Sequence, residues 1–231
     1  MSKKISGILI TDIIVFGIIV WFIAYAKVKS LDGFETFLYV VREDGWVEYL
    51  TALFLLLSAI VLGINAVKAI RRGDKKQILF YSLACLVLIF GLGEEISWGQ
   101  RIFGIQSGEY FLEHNYQSET NLHNLKFGNI DLNKLIFSKL MFYALVFYFI
   151  LLPLLTWKVK AFRKLVVDFG VPIPQLHYII VLLIANITIP VLINMKKESE
   201  LHELALAGIL FLVFLNPAKR IKEVVLTKQE S

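Results

Sequence analysis

The sequence predicts an all-α membrane protein, a single bundle of six transmembrane helices with both termini in the cytoplasm. Three observations carry this. First, 57% of the 231 residues are hydrophobic and mean hydropathy is +0.68, more apolar surface than one soluble core of this length needs. Second, apolar runs recur at about the twenty-residue length that crosses a ~30 Å hydrocarbon layer. Third, the 24 Lys and Arg sit in short clusters between those runs. That is the charge pattern of membrane topology, and it excludes nucleic acid as the partner of the +5 net charge.

The first span is expected at about residues 5–26, after Lys3 and Lys4. Its apolar stretch is roughly twice a signal-peptide core, so a retained helix is expected. Asp12 within it is expected near the inner interface, hydrogen-bonded to Thr11 or a neighbouring helix. Phe34 to Val41 suits an interfacial helix. The segment REDGWVEYL leads into a second span at 46–67. Asp44 and Glu48, four apart, share a face if the helix has begun by Asp44, and Glu48 in the first turn suits the helix dipole.

The basic connection KAIRRGDKK precedes a third span at 77–98. Within it Cys85, the one cysteine, is expected to be a packing residue. A polar loop at about 99–131 follows, then a fourth span at 132–157, which Pro153 should kink or end. Residues Lys158 to Lys164 are again basic. A fifth span at 174–194 contains Asn186 and Pro190, and a sixth at 203–216 follows MKKESELHE and closes at Asn216-Pro217. The chain has no internal repeat and no low-complexity tract.

With six spans, the side holding the N-terminus carries 15 of the 24 Lys and Arg, so the positive-inside rule favours cytoplasmic termini. The acids divide more sharply, 14 of 19 falling on the outer side. Three outer segments then converge: 42–48, 94–124 and 198–203. On a continuing third helix Glu94, Ser97, Trp98 and Arg101 form one stripe, with Glu95 beside it. Glu94 and Arg101 lie two turns apart, so a direct pair requires the helix to break, and Gly99 suits such a break.

Of the four histidines, His114, His123 and His202 are expected outside and His177 inside. Imidazole with carboxylate is suitable chemistry for zinc or another divalent metal. The candidate ligands are Glu94, Glu95, His123 and His202, although no H-E-x-x-H or C-x-x-C spacing is present. The same residues equally suit a structural hydrogen-bond network or a cation or proton path. Candidate catalytic groups are Glu94, Glu95, Ser97, Arg101 and His123, with Arg101 placed to bind a phosphate or carboxylate. Ser97 as nucleophile needs a base such as His123, and no G-x-S-x-G is present. Trp98, Gln100, Gln117, Asn121, Asn124, Asp44 and Glu48 are the candidate substrate-positioning residues. Trp98, Phe103, Tyr110 and Tyr116 read as an interfacial aromatic belt or a headgroup platform.

The segments VREDGWVEYLTALFLL, GLGEEISWGQRIFG and NYQSETNLHNL resemble the motifs of a group of prokaryotic multi-span membrane proteins without an assigned activity. The resemblance covers about the middle third of the chain and implies the site, not the reaction. A weaker similarity is to the alkaline ceramidase and adiponectin-receptor superfamily of membrane hydrolases. Glu94 and Ser97 fit its Glu-x-x-Ser element, and Asp44 stands for its acidic helix start. That family has seven spans and a late His pair, where this chain has six expected spans and only His202. The sequence-level expectation is a multi-pass cell-membrane protein acting on a lipid or lipid-linked substrate as a metal-assisted hydrolase, whose nucleophile is water activated by the metal. A transporter or ion pathway, and a non-catalytic assembly protein, are the alternatives.

Overall fold

The uninterrupted apolar runs fold as long helices because their backbone polar groups are satisfied within each segment. The computed structural model describes residues 2–127, 130–131 and 139–218. Among the described residues four helices are long and apolar enough to cross a membrane: Leu9–Leu31 within α1 (Ser2–Leu31), α3 (Trp46–Arg72), α4 (Lys75–Glu95) and the continuous helical stretch Met141–Lys158. Between them lie α2 (Phe34–Val40), the short α5 (Gln100–Phe103) and α6 (Glu109–His114), and a minimal antiparallel pair, β1 (Lys126–Phe127) with β2 (Ile130–Asp131). The expected start of the fourth span at Leu132 and the basic tail from Lys219 lie outside the described residues.

The stretch Met141–Lys158 consists of α7 (Met141–Val146), a π-helical turn (Phe147–Leu151) and α8 (Leu152–Lys158). Pro153 does not end it. The preceding turn widens, which accommodates the missing N–H and the ring. Next come α9 (Lys160–Phe169), α10 (Leu176–Leu192) and α11 (Ser199–Leu215). Several boundaries differ from expectation: α1 runs on to Leu31 beyond 26 and α3 to Arg72 beyond 67, while α4 stops at Glu95 instead of running to 98 and α11 begins at Ser199, ahead of 203.

The packed centre is α11. Leu201, Leu204, Ala205, Ile209 and Leu212 are fully or almost fully buried and recur at helical spacing, against Val15, Ile19 and Phe22 of α1 and Phe54 of α3. Gly208 permits this approach, because a Cβ there would lie 3.1 Å from Val15 Cγ1 and 3.3 Å from Ile19 Cδ1. Small residues similarly seat α3 on α4: Ala59 and Gly63 face Cys85, whose thiol donates to the Ala59 carbonyl at 3.3 Å. This is how helices associate where lipid removes most of the hydrophobic drive. Outward-facing Ile13, Val20, Leu56, Ile60, Leu86 and Val87 are exposed, an apolar exterior far beyond what a soluble monomer tolerates.

The two ends of the bundle are tied by different contacts. Tyr178 at the start of α10 donates to Asp12 at 2.9 Å, and Asn216 after α11 reaches the same hydroxyl at 3.4 Å. At the other end Lys27 donates to the Leu192 carbonyl at 2.6 Å, and Lys197 pairs with Glu43 at 2.9 Å. Thus α10 runs alongside α1, and α11 returns over the same depth.

Candidate functional site

Helix α4 ends abruptly at the polar end of the bundle. Ser97, Trp98 and Gly99 have φ of 46, 54 and 78°, so three consecutive residues turn left-handed and the chain reverses. For non-glycine residues this conformation costs roughly 1–2 kcal/mol each, and dense side-chain bonding holds it. The reversal returns the Trp98 ring over Gly93, with its indole N–H donating to Glu94 Oε1 at 2.9 Å. The other Glu94 oxygen accepts the backbone N–H groups of Leu122 at 2.7 Å and His123 at 2.8 Å. Glu94 is therefore a buried clamp joining α4 to the loop.

Arg101 is the hub of the neighbouring network. Its Nε donates to Asp44 Oδ1 at 3.0 Å, and its two terminal nitrogens contact Glu48 and Glu119. Burial works against the charged form, but the Glu119 hydrogen bond and the charges of Glu48, Glu119 and Asp44 outweigh it and raise the guanidinium pKa. Glu48 also accepts the Asp44 N–H at 2.6 Å, tying the preceding turn to α3, which begins only at Trp46. Ser97, 1% exposed, donates to Glu119 and accepts from Asn121 Nδ2 at 3.0 Å. Asn121 also reaches Glu119 at 3.0 Å and accepts from Asn115 at 2.9 Å. The partners of the serine are thus a carboxylate and an amide, not a histidine.

The remaining loop positions extend this lattice. Gln100 donates to Ser107 Oγ at 2.7 Å and accepts from the Thr120 N–H at 2.7 Å. Gln117 donates to Glu43 at 2.6 Å and accepts from Asn124. Trp98 stays 52% exposed. All three Arg101 nitrogens are engaged by acids of the protein itself.

A second assembly lies beside this lattice and opens on the bundle interior. Glu95, at the end of α4, meets Glu200 and Glu203 of α11, one oxygen of each lying within 4.8 Å of the others. A cavity of about 560 Å3 runs from this cluster between α3, α4, α7, the π turn, α10 and α11. Its polar end holds Glu95, Glu203, His123, His202, Asn186 and an edge of Glu94. Its walls are apolar, including Leu88, Phe149, Leu182 and Leu206. His202 Nδ1 lies 2.9 Å from Asn186 Oδ1, an arrangement that orients the ring. Burial lowers the His123 pKa, partly opposed by Glu94, so the imidazole is neutral at neutral pH.

No model of a known protein family, no curated protein and no solved structure matches the chain. The chemistry of the site therefore has to be read from its own side chains. The expected metal ligands Glu94, Glu95, His123 and His202 all line the cavity, and Glu94 is in addition committed to three N–H donors. Asp44, Glu48, Ser97, Arg101 and Asn121 are gathered in one network. Glu119, Glu200 and Glu203 were visible only as members of an acidic outer face, and neither spacing nor periodicity distinguished them. Asn115 and Ser107 carried no sequence signal beyond lying in a polar loop.

Proposed function

We propose that the protein is a membrane-embedded, metal-assisted hydrolase acting on a lipid or lipid-linked substrate, with its polar pocket at the outer leaflet of the cell membrane. In this reading six helices cross the bilayer, α10 and α11 included, and both termini are cytoplasmic. The observation that carries it is the cavity of about 560 Å3, apolar along its length and ending in carboxylates and imidazoles. A volume of this size fits a sizeable ligand, and its polarity gradient suits an acyl chain with its head at the acidic end.

The donor set is compatible with one ion. Two oxygens on a single zinc at ~2.0–2.2 Å lie at most ~4.4 Å apart, and the three carboxylates are within a small side-chain adjustment of that spacing. Three carboxylates are hard donors that suit magnesium or manganese, and adding imidazole from His123 or His202 shifts the preference towards zinc. Bound there, a divalent ion supplies Lewis acidity and lowers the pKa of water. The protein contributes the rest: Glu95, Glu200 and Glu203 hold the charge, neutral His123 accepts a proton, and Asn186 fixes His202. The Arg101 lattice keeps the loop rigid above them.

The test measures metal content and lipid turnover together. Detergent-purified wild type is expected to carry close to one divalent ion per chain, and Glu95→Gln and Glu203→Gln to carry none. Vesicles of total polar lipid should release a water-soluble or free-acyl product with wild type, detected by mass spectrometry, and at least about 100-fold less with either variant. Wild type that binds no ion from a panel of zinc, manganese and magnesium would sink the metal role. Undiminished turnover in the Glu95→Gln, Glu203→Gln double variant would sink the assignment of the site.

A further inference from the structure

Helix α9 lies at the end of the bundle opposite the acidic pocket, and its two faces differ. Phe162, Val166 and Phe169 fall at i, i+4 and i+7. Val166 is 2% exposed and packs with Leu152 and Ile173, with Phe162 against the same cluster. On the opposite face Lys160 and Lys164 are exposed, one turn apart. The helix is fixed in place rather than trailing. Asp168 pairs with Lys76 of α4 at 2.7 Å, Tyr81 of α4 donates to the Gly170 carbonyl at 2.8 Å, and Arg163 donates to the last carbonyls of α8 at 3.0 and 2.7 Å.

Among the described residues these ties engage the two nearby acids, and the cations outnumber them. Asp168 is bonded to Lys76, which holds its carboxyl below the usual range, and Asp74 caps α4 through the Gln77 N–H at 3.2 Å. Arg71, Lys75, Lys158, Lys160 and Lys164 make no hydrogen bond or ion pair among the described residues and are exposed. They surround the ends of α3, α4 and α8, whose apolar flanks continue directly into this rim. Trp157, 72% exposed, and Leu165, 50% exposed, project beside the lysines. An exposed tryptophan at the end of an apolar helix marks the headgroup level of a bilayer. Apolar and cationic side chains side by side are what an interfacial helix offers to an anionic leaflet.

We infer that the rim formed by α9 and the α3–α4 turn is a docking surface for anionic phospholipid headgroups. Lys75, Lys160 and Lys164 contact the phosphates while Trp157 and Leu165 enter the acyl boundary. Charge complementarity commits the surface to this occupant, since among the described residues its exposed cations outnumber its two acids, Asp74 and Asp168, and sit beside the exposed Trp157. The surface is separate from the pocket and does not depend on any activity there.

The test uses the full-length chain in a neutral detergent, adding phosphatidylglycerol, phosphatidylcholine or inorganic phosphate at equal concentration and following thermal unfolding. Phosphatidylglycerol is expected to raise the midpoint of wild type by about 3 °C or more, with the rise shrinking as NaCl goes from about 50 to 500 mM. Phosphatidylcholine and phosphate should leave it within 1 °C or so of the lipid-free value. The Lys75→Gln, Lys160→Gln, Lys164→Gln variant should keep the lipid-free midpoint and lose most of the rise. Leu165→Ser should lose part of it while retaining every charge. An equal rise with phosphatidylcholine, an equal rise with phosphate alone, or a full rise in the triple variant would each overturn the inference.

Discussion

The guanidinium of Arg101 faces Asp44, Glu48 and Glu119, and two of these acids are buried. Truncation leaves those carboxylates without their cation in a poorly solvated site. Arg101→Met should therefore destabilise the protein by about 3–5 kcal/mol. Arg101→Lys keeps the charge but loses the planar fork, and should fall between the two. Denaturant titration in detergent measures both, and an Arg101→Met variant within about 1 kcal/mol of wild type would show the network to be dispensable. The sequence places Arg101 in the site as the group for a phosphate or carboxylate, and the carboxylates it meets are the protein's own. Distance along the chain hides these partners, which are 18, 53 and 57 residues away. Periodicity can place neighbours on one helix face, but it says nothing of which loops meet. Glu94 is the same case, since its partners Leu122 and His123 are recruited from a loop across the reversal.

Among the elements, the end of α4 carries the most consequence for the site. Expectation ran the helix to 98 and found one stripe of Glu94, Ser97, Trp98 and Arg101. The left-handed turn through Ser97, Trp98 and Gly99 breaks that stripe and sends Arg101 towards α3. Gly99 was a legible signal, but Ser97 and Trp98 are residues that seldom adopt positive φ, so hydropathy carried the span too far. The reversal also explains Gly93. A Cβ there would sit 2.8 Å from the Trp98 ring, and a ring cannot yield as a flexible chain would. Gly93→Ala should displace the indole, break its bond to Glu94, and cost about 1–3 kcal/mol. The accompanying sign is greater quenching of Trp98 emission by aqueous iodide, read against a Trp98→Phe control. Unchanged stability and quenching would mean that the ring does not rest on Gly93. The long helices were legible because apolar runs without charge have few alternatives. The amphipathic α9 was not, because its lysines read as a connection and its apolar face, buried Val166 with half-buried Phe162 and Phe169, makes too short a pattern.

At the scale of the molecule, the six-span arrangement proposed above turns on α10 and α11. Each has 17 residues, about 26 Å at 1.5 Å per residue, slightly short of a ~30 Å hydrocarbon layer. Length alone therefore does not place them beside the four longer helices. Their contacts do more. α10 starts at the level of Asp12 and ends at the level of Lys27 of α1, while the turn after it pairs with Glu43 before α3. If α1 crosses the bilayer, a helix spanning the same depth crosses it too. The turn at 195–198 should then share a side with 42–45, opposite the turn at 72–75. In a Cys85→Ser background, Lys196→Cys in intact cells should react with a membrane-impermeant maleimide. Arg71→Cys should react only after permeabilisation. The background is gentle, since the Cys85 thiol makes a single weak bond to the Ala59 carbonyl. Labelling of both positions from the same side would rule out α10 as a span. It would also remove the acidic cluster from the outer leaflet, because Glu200 and Glu203 follow that turn directly on α11.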